Sequence, residues 1–297
     1  MKNRFAFTMI ELIFVIMIMG ILGKYGVEFL SQAYNNFIFS KINNTLQSDS
    51  QSAIEVIASR LQFRIKDSII ARVPESTHTH FKALADSDYN ETATVLEWVG
   101  MDIEGFRGDL NTTPILPTWS SIIDINESQY NLLKTPETNT SAINDLIDVL
   151  SGGDSNISNA AIYFVGSNTN IKEWGWDGVA LADQNKSIHR IDKGINLDEF
   201  VPKVADFNGT DVYEYYQFAW TAYAVEHNTT SGDLWLHYDY QPWEGDKYDD
   251  STTKKALIMK NVNTFRFKAV GSVVKIQVCT KSNVMEDYSI CKEKTIF

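Results

Sequence analysis

From Phe7 to Leu22 the chain reads F-T-M-I-E-L-I-F-V-I-M-I-M-G-I-L, apolar around almost the whole helical circumference and broken by one acid, Glu11. Such a run points to a membrane-embedded helix rather than one lying on a soluble core. Beyond Leu22 the pattern becomes one-sided. Ile38, Ile42, Leu46, Ala53, Ile57, Leu61, Ile65 and Ile69 recur mostly four residues apart, with Lys41, Asn44, Glu55, Arg60 and Lys66 opposite them. No proline intervenes before Pro74. The spacing therefore predicts one helix from Phe7 to about Arg72, on the order of 100 Å long at 1.5 Å per residue. Gly20, Gly23 and Gly26 fall where the membrane part gives way. They read either as close helix packing or as a weak stretch able to unwind during assembly, since each lowers helix stability by up to about 1 kcal/mol.

After Val73 the period changes to that of strands. Thr94–Val99 and Ala160–Gly166 are short β-rich runs. Val212–Glu226 reads as one long strand, with Tyr213, Tyr215, Gln217, Ala219, Thr221, Tyr223 and Val225 on one face and Tyr216, Phe218 and Trp220 on the other. Asp233–Tyr240 follows after the turn-rich H-N-T-T-S-G, which predicts an antiparallel hairpin. Ala256–Met259, Asn263–Ala269 and Ser272–Cys279 continue a meander. One helix is expected over Ser141–Leu150, where Ile143, Leu146, Ile147 and Leu150 share a face and Gly152 with Gly153 ends it. The expected class is α+β, a long helix packed on a mainly antiparallel β-sheet head.

Charge sharpens this division. Residues 1–72 hold eight Lys or Arg and five Asp or Glu, a net of +3, whereas residues 73–297 hold 18 and 33, a net of −15. An acidic head is poorly suited to broad gripping of phosphate backbones, which depends on clustered Lys and Arg. At 297 residues and 44% hydrophobic, the chain has ample material for a folded core.

Glu11 is the informative anomaly. A lone charge in an apolar membrane segment costs roughly 2 to 3 kcal/mol, so it calls for a partner or a task. Upstream lie Met1–Ala6 with Lys2 and Arg4, positive charges that hold this end in the cytoplasm and send the rest outward. A signal-peptidase site is matched only weakly, by Ser31 and Ala33. The order basic leader, Ala6, F-T-M-I-E and a long apolar run instead resembles the type IV prepilin family, the precursors of pilins and of type II secretion pseudopilins. The resemblance covers Ala6 to Leu22, with Ala6 standing where the family more often has Gly.

That resemblance implies residues 1–6 as a leader removed by a prepilin peptidase between Ala6 and Phe7, with N-methylation at Phe7. Residues 7–30 would form the membrane and filament-core helix, 31–72 its amphipathic continuation, and 73–297 a periplasmic head, the pilin-like lollipop. The family's acid maps onto Glu11, which would face the N-terminal amine of a neighbouring subunit, because a buried charge is tolerable when paired. The implied partners are the peptidase, other pilin or pseudopilin subunits through the helix, and an inner-membrane assembly platform. The chain would sit in the inner membrane by a single pass, N-terminus cytoplasmic, and later in the filament. Among family members it most resembles the large minor subunits of the PilW and type II secretion J kinds, from the late aromatic strands around Phe218 and Trp220 and the pair Phe265–Cys279. Glu11 counts against the tip subunit of the K kind, which usually lacks the acid. A head this bulky fits sparse or tip incorporation better than a repeating shaft.

Cys279 and Cys291 are the only cysteines. In an exported chain they read most simply as a disulfide closing a C-terminal loop, an arrangement many pilins share; two free thiols or half a metal site are the alternatives. No G-x-S-x-G, H-E-x-x-H, P-loop or dinucleotide fingerprint occurs, so no enzyme is expected. His78 and His80 are a thin metal signal that more often marks an exposed loop. Glu244, Asp246, Asp249 and Asp250 in W-E-G-D-K-Y-D-D are weak calcium candidates without the ordered spacing of an EF-hand. Trp174 and Trp176 read as core or as a stacking surface. The functional expectation is a minor pilin or pseudopilin that initiates or caps a periplasmic filament for type II secretion or pilus biogenesis. A filament-borne adhesin, cargo receptor or DNA-uptake module is the alternative, and a signal-anchored enzyme comes third.

Overall fold

The computed structural model describes residues 8–108, 114–282 and 288–297. The chain divides into two compact units, Met1–Ser48 and Asp49–Phe297. The expected helix is present as α1, Met9–Leu61. Within the second unit, its residues Ser50, Ala53, Ile54, Ile57, Ala58 and Leu61 are buried.

The helix ends at Leu61, short of the expected Arg72. The reason lies in the next few backbone groups. Phe63 O accepts from Met101 N at 2.8 Å, and Ile65 N donates to Val99 O at 2.9 Å, so the chain has left its helical ladder for a strand partner. A short 3₁₀ turn at Lys66–Ser68 leads into β1, Ile70–Arg72, which is buried on both faces. Ile65 and Ile69 are indeed apolar and buried. A four-residue interval, however, suits period 2 as well as period 3.6, and here pairing on both sides of β1 decides between them.

The remaining elements run in order β2 Phe81–Ala83, β3 Val95–Gly100, α2 Ile103–Arg107, β4 Asp124–Gln129, β5 Leu132–Lys134, α3 Thr140–Ser151, β6 Ala161–Phe164, β7 His189–Lys193, β8 Glu199–Pro202, β9 Tyr216–Ala219, β10 Thr221–Asn228, β11 Asp233–Tyr240, β12 Lys254–Met259, β13 Val262–Val270, β14 Val273–Lys281 and β15 Ser289–Ile296. They build three sheets, ordered β12-β11-β10-β3-β1-β2, β4-β5-β8-β7-β6-β9 and β13-β14-β15. Every pairing between these strands is antiparallel. The class is therefore α+β, as expected, with a long apolar helix and antiparallel sheets. The helix α3 also falls where its pattern placed it. Ile143 and Ile147 are buried, the Asn139 side chain caps Ala142 N, and Gly152 closes the helix at φ 70°.

Two strand expectations change. The run Val212–Glu226 is two strands in different sheets, β9 and β10, parted by a bend at Trp220. Tyr216, Phe218 and Trp220 enter one core with Phe164, Phe200, Ile143 and Ile147. Ala222 and Ala224, which an unbroken strand would place on that same face, enter another. The C-terminal meander is likewise divided, because Asn261, at φ 58°, turns the chain out of the first sheet into β13.

Three apolar cores result, all within the second unit. Ile54, Ile57 and Leu61 of α1 meet Leu96, Trp98 and Val225 of the first sheet and Phe265, Ile276 and Val278 of the three-stranded sheet. The other face of the first sheet packs Val95, Val99, Ala222 and Ala224 against Trp174, Trp176 and Trp243. Gly175 makes that approach feasible: at φ 85°, any Cβ there would lie 2.1 Å from the carbonyl oxygen of Pro242.

One ion pair is sealed inside this head. Arg72 of β1 donates through Nε to Glu97 Oε1 on β3, and its Nη1 and Nη2 reach the carbonyls of His78 at 2.6 Å and Trp176 at 2.7 Å. Tyr240 Oη donates to Glu97 Oε2 at 3.0 Å. Burial alone would lower the guanidinium pKa, but the adjacent Glu97 carboxylate outweighs it and holds the pKa above its ordinary value. Five segments, β1, the loop at His78, β3, β11 and the Trp174–Trp176 loop, are thus tied through one guanidinium and one carboxylate.

Candidate functional site

The strongest candidate site is the amino-terminal part of α1. Every residue from Thr8 to Phe37 is exposed, including Ile10, Leu12, Ile13, Phe14, Ile16 and Ile18. A surface of this kind is far more apolar than that of a soluble monomer. By length and composition the helix is sufficient to cross a membrane.

Glu11 sits one turn into this surface, and local geometry gives it a first set of partners. Thr8 is the residue before the helix; its backbone N donates to Glu11 Oε2 at 3.0 Å, its Oγ1 donates to the same oxygen at 3.0 Å, and Glu11 N donates back to Thr8 Oγ1 at 3.4 Å. This is a capping box, in which the first-turn acid and the cap residue satisfy each other's orphan groups. Its sequence signal is T-x-x-E at Thr8–Glu11. These bonds supply hydrogen, not an opposite charge, so they orient the carboxylate without neutralising it. A cationic group brought to it would find a fixed acceptor beside the positive end of the helix dipole.

Ala6 and Phe7, the expected cleavage pair, lie outside the described residues. Gly20, Gly23 and Gly26 are helical and have no atom within 4 Å of where a Cβ would stand. In this chain the helix runs through them unbroken, with open space that another helix can approach.

The expected disulfide is present. Cys279 on β14 and Cys291 on β15 are directly opposed in the strand register and bonded. The two-thiol and metal alternatives are thereby removed.

The other candidates are dispersed rather than gathered. Asp246 accepts from Gln241 N at 3.1 Å, Asp249 meets His78 Nε2 at 2.7 Å, and Asp250 accepts from Lys247 N at 2.8 Å. Glu244 holds Arg190, with Nε at 3.0 Å, and Lys203 at 2.7 Å. Burial raises the Asp246 pKa. Each acid thus has its own structural partner, and among the described residues no three His, Cys, Asp or Glu are placed to hold one metal ion. His80 turns to Glu75, 3.6 Å away, so the two histidines do not converge either. The backbone at His78 takes φ 56°, which breaks the extended alternation that would have aligned them. Trp174 and Trp176 are core residues, 0% and 2% exposed, and present no stacking face.

Compared with models of known protein families, with characterised proteins and with solved structures, the chain matches none.

Proposed function

We propose that the chain is a minor pilin or pseudopilin, a structural subunit that initiates or caps a type IV pilus-like filament on the periplasmic side of the inner membrane, in type II secretion or pilus biogenesis. The observation that carries this reading is an apolar helix, exposed from Thr8 to Phe37, whose one acid near its start, Glu11, is held by Thr8 and has no counter-charge among the described residues. Lipid covers such a helix but leaves the carboxylate at a cost of about 2 to 3 kcal/mol at membrane depth. A bundle of like helices covers it equally well and delivers a cation, the amine exposed when a peptidase cuts between Ala6 and Phe7. Assembly is then favoured over the isolated subunit by the difference. The head, on this reading, contributes contacts and length and has no catalytic duty.

The test is the mature terminus together with one substitution. Intact mass and N-terminal sequencing of the membrane form should show a methylated Phe7, and Glu11→Gln should leave the chain in the membrane but drop its filament incorporation at least tenfold. A mature chain starting at Met1, or after Ala33, overturns the proposal.

A further inference from the structure

Charge is unevenly divided within the head. Residues 73–261 hold 12 Lys or Arg and 30 Asp or Glu, a net of −18, whereas residues 262–297, the segment of β13, β14 and β15, hold six and three, a net of +3. The strand register shows where those cations stand. Phe265 and Phe267 lie opposite Val278 and Ile276 on the core face, so Arg266 and Lys268 of β13 share the outer face with Lys275 and Gln277 of β14. Lys268 is directly across from Lys275, an opposition that like charges disfavour. Glu293 relieves Lys275 at 2.7 Å and Glu91 pairs with Arg266, but Lys268 has no ion pair among the described residues. A groove of about 790 Å³ runs between this face and Tyr89–Thr92.

The complementary charge is carried by another sheet of the same chain. The segments 122–130 and 206–215 contain Asp124, Glu127, Asp206, Asp211 and Glu214 and no Lys or Arg. Backbone bonds join the two segments near both ends, Ile123 N to Glu214 O at 2.8 Å and Phe207 N to Tyr130 O at 2.7 Å, along the sheet edge formed by β4. The ion pairs found among the described residues use none of these five acids. Ile125 and Tyr215 beside them are each 53% exposed, which gives the edge an apolar element among its charges.

We infer that the basic outer face of β13 and β14 docks onto the acidic β4 edge of a second copy of this chain. The two patches differ, so the contact is heterologous: each copy in a pair keeps one patch free, and further copies add in an open series. Charge complementarity of this kind sets partner choice and orientation. The inference rests on the filament reading and deepens it, because it adds a contact between heads to the one through α1.

The experiment uses the full chain in detergent micelles, followed by sedimentation velocity. The unaltered chain should self-associate at 50 mM salt and do so at least tenfold more weakly at 500 mM, as exposed charges are screened. Lys268→Glu with Lys275→Glu should abolish association, Asp211→Lys with Glu214→Lys should do the same, and mixing these two variants should restore it. Near-ultraviolet circular dichroism confirms that each variant is folded. A chain that is monomeric at low salt, a basic-face variant that associates like the parent, or a mixture that stays apart would each overturn the inference. Glu11→Gln separates the two readings, since it should leave this salt-sensitive association intact even where filament incorporation is lost.

Discussion

Two glutamates in apolar surroundings, Glu97 in the head and Glu11 in the helix, show how differently the two parts of the molecule are finished. Glu97 is 1% exposed and meets Arg72 and Tyr240, so both carboxylate oxygens have partners from elsewhere in the chain. Glu11 is exposed, surrounded by exposed apolar residues, and among the described residues its hydrogen bonds come from Thr8 alone, three residues away. The head closes on itself in three cores and supplies the Glu97 carboxylate with its own partners. The helix leaves both its apolar surface and its charge open to a second molecule.

That contrast is sharpest under substitution. Glu97→Gln should lower head stability by about 3–5 kcal/mol, because it strands a buried guanidinium. Chemical unfolding should register the loss, and Glu11→Gln measured in the same way should leave the head transition unchanged. Converting Cys279 and Cys291 to Ser should cost the head about 3 kcal/mol for a loop of this size, read by the same transition with the helix unaffected.

A pH series tests the closure of the head from another side. Burial lowers the His189 pKa from 6.5 to about 4. The unfolded chain therefore takes up a proton that the fold refuses, and stability falls as pH drops from 6.5 to 4, by on the order of 3 kcal/mol at full titration. Asp102 runs the other way: burial raises its pKa to about 6, so its contribution is full below 3.8 and is lost as pH rises through 6. His189→Phe, placed among Phe164 and Phe207, should remove the acid-side loss and leave the Asp102 trend alone. The smallest effect belongs to the helix. Thr8→Val removes the cap and should cost about 1 kcal/mol locally, seen as roughly fivefold faster hydrogen exchange at the first turn of α1, with no change in the head.

The features legible in the sequence were those carried by local period or pairing. The helix up to Leu61, α3, the β10–β11 hairpin and the Cys279–Cys291 bond all have signals within a few residues or a forced partner. Those that were not legible depend on distant chain. Ile65 and Ile69 keep the helical interval while lying in extended backbone, and only the bonds to Val99 and Met101 decide the matter. At Trp220 the residues on either side are equally β-prone, so nothing local marks the change of sheet. The Thr8 cap carries a complete local signature, T-x-x-E, in which Glu11 serves as the capping-box acid as well as the lone charge of an apolar run. The acids of W-E-G-D-K-Y-D-D show the converse: adjacent in sequence, they are drawn to Arg190, Lys203, His78 and backbone amides that sequence adjacency does not reveal.

The bend at Trp220 has one more effect. β9 and β10 belong to different six-stranded sheets yet follow each other with a single residue between them, and that residue's carbonyl is held by Gln241 Nε2 at 2.8 Å. No slack is available for one sheet to come apart while its neighbour keeps register. The two halves of the head are thereby made cooperative, and a disturbance in either should be felt as melting of both.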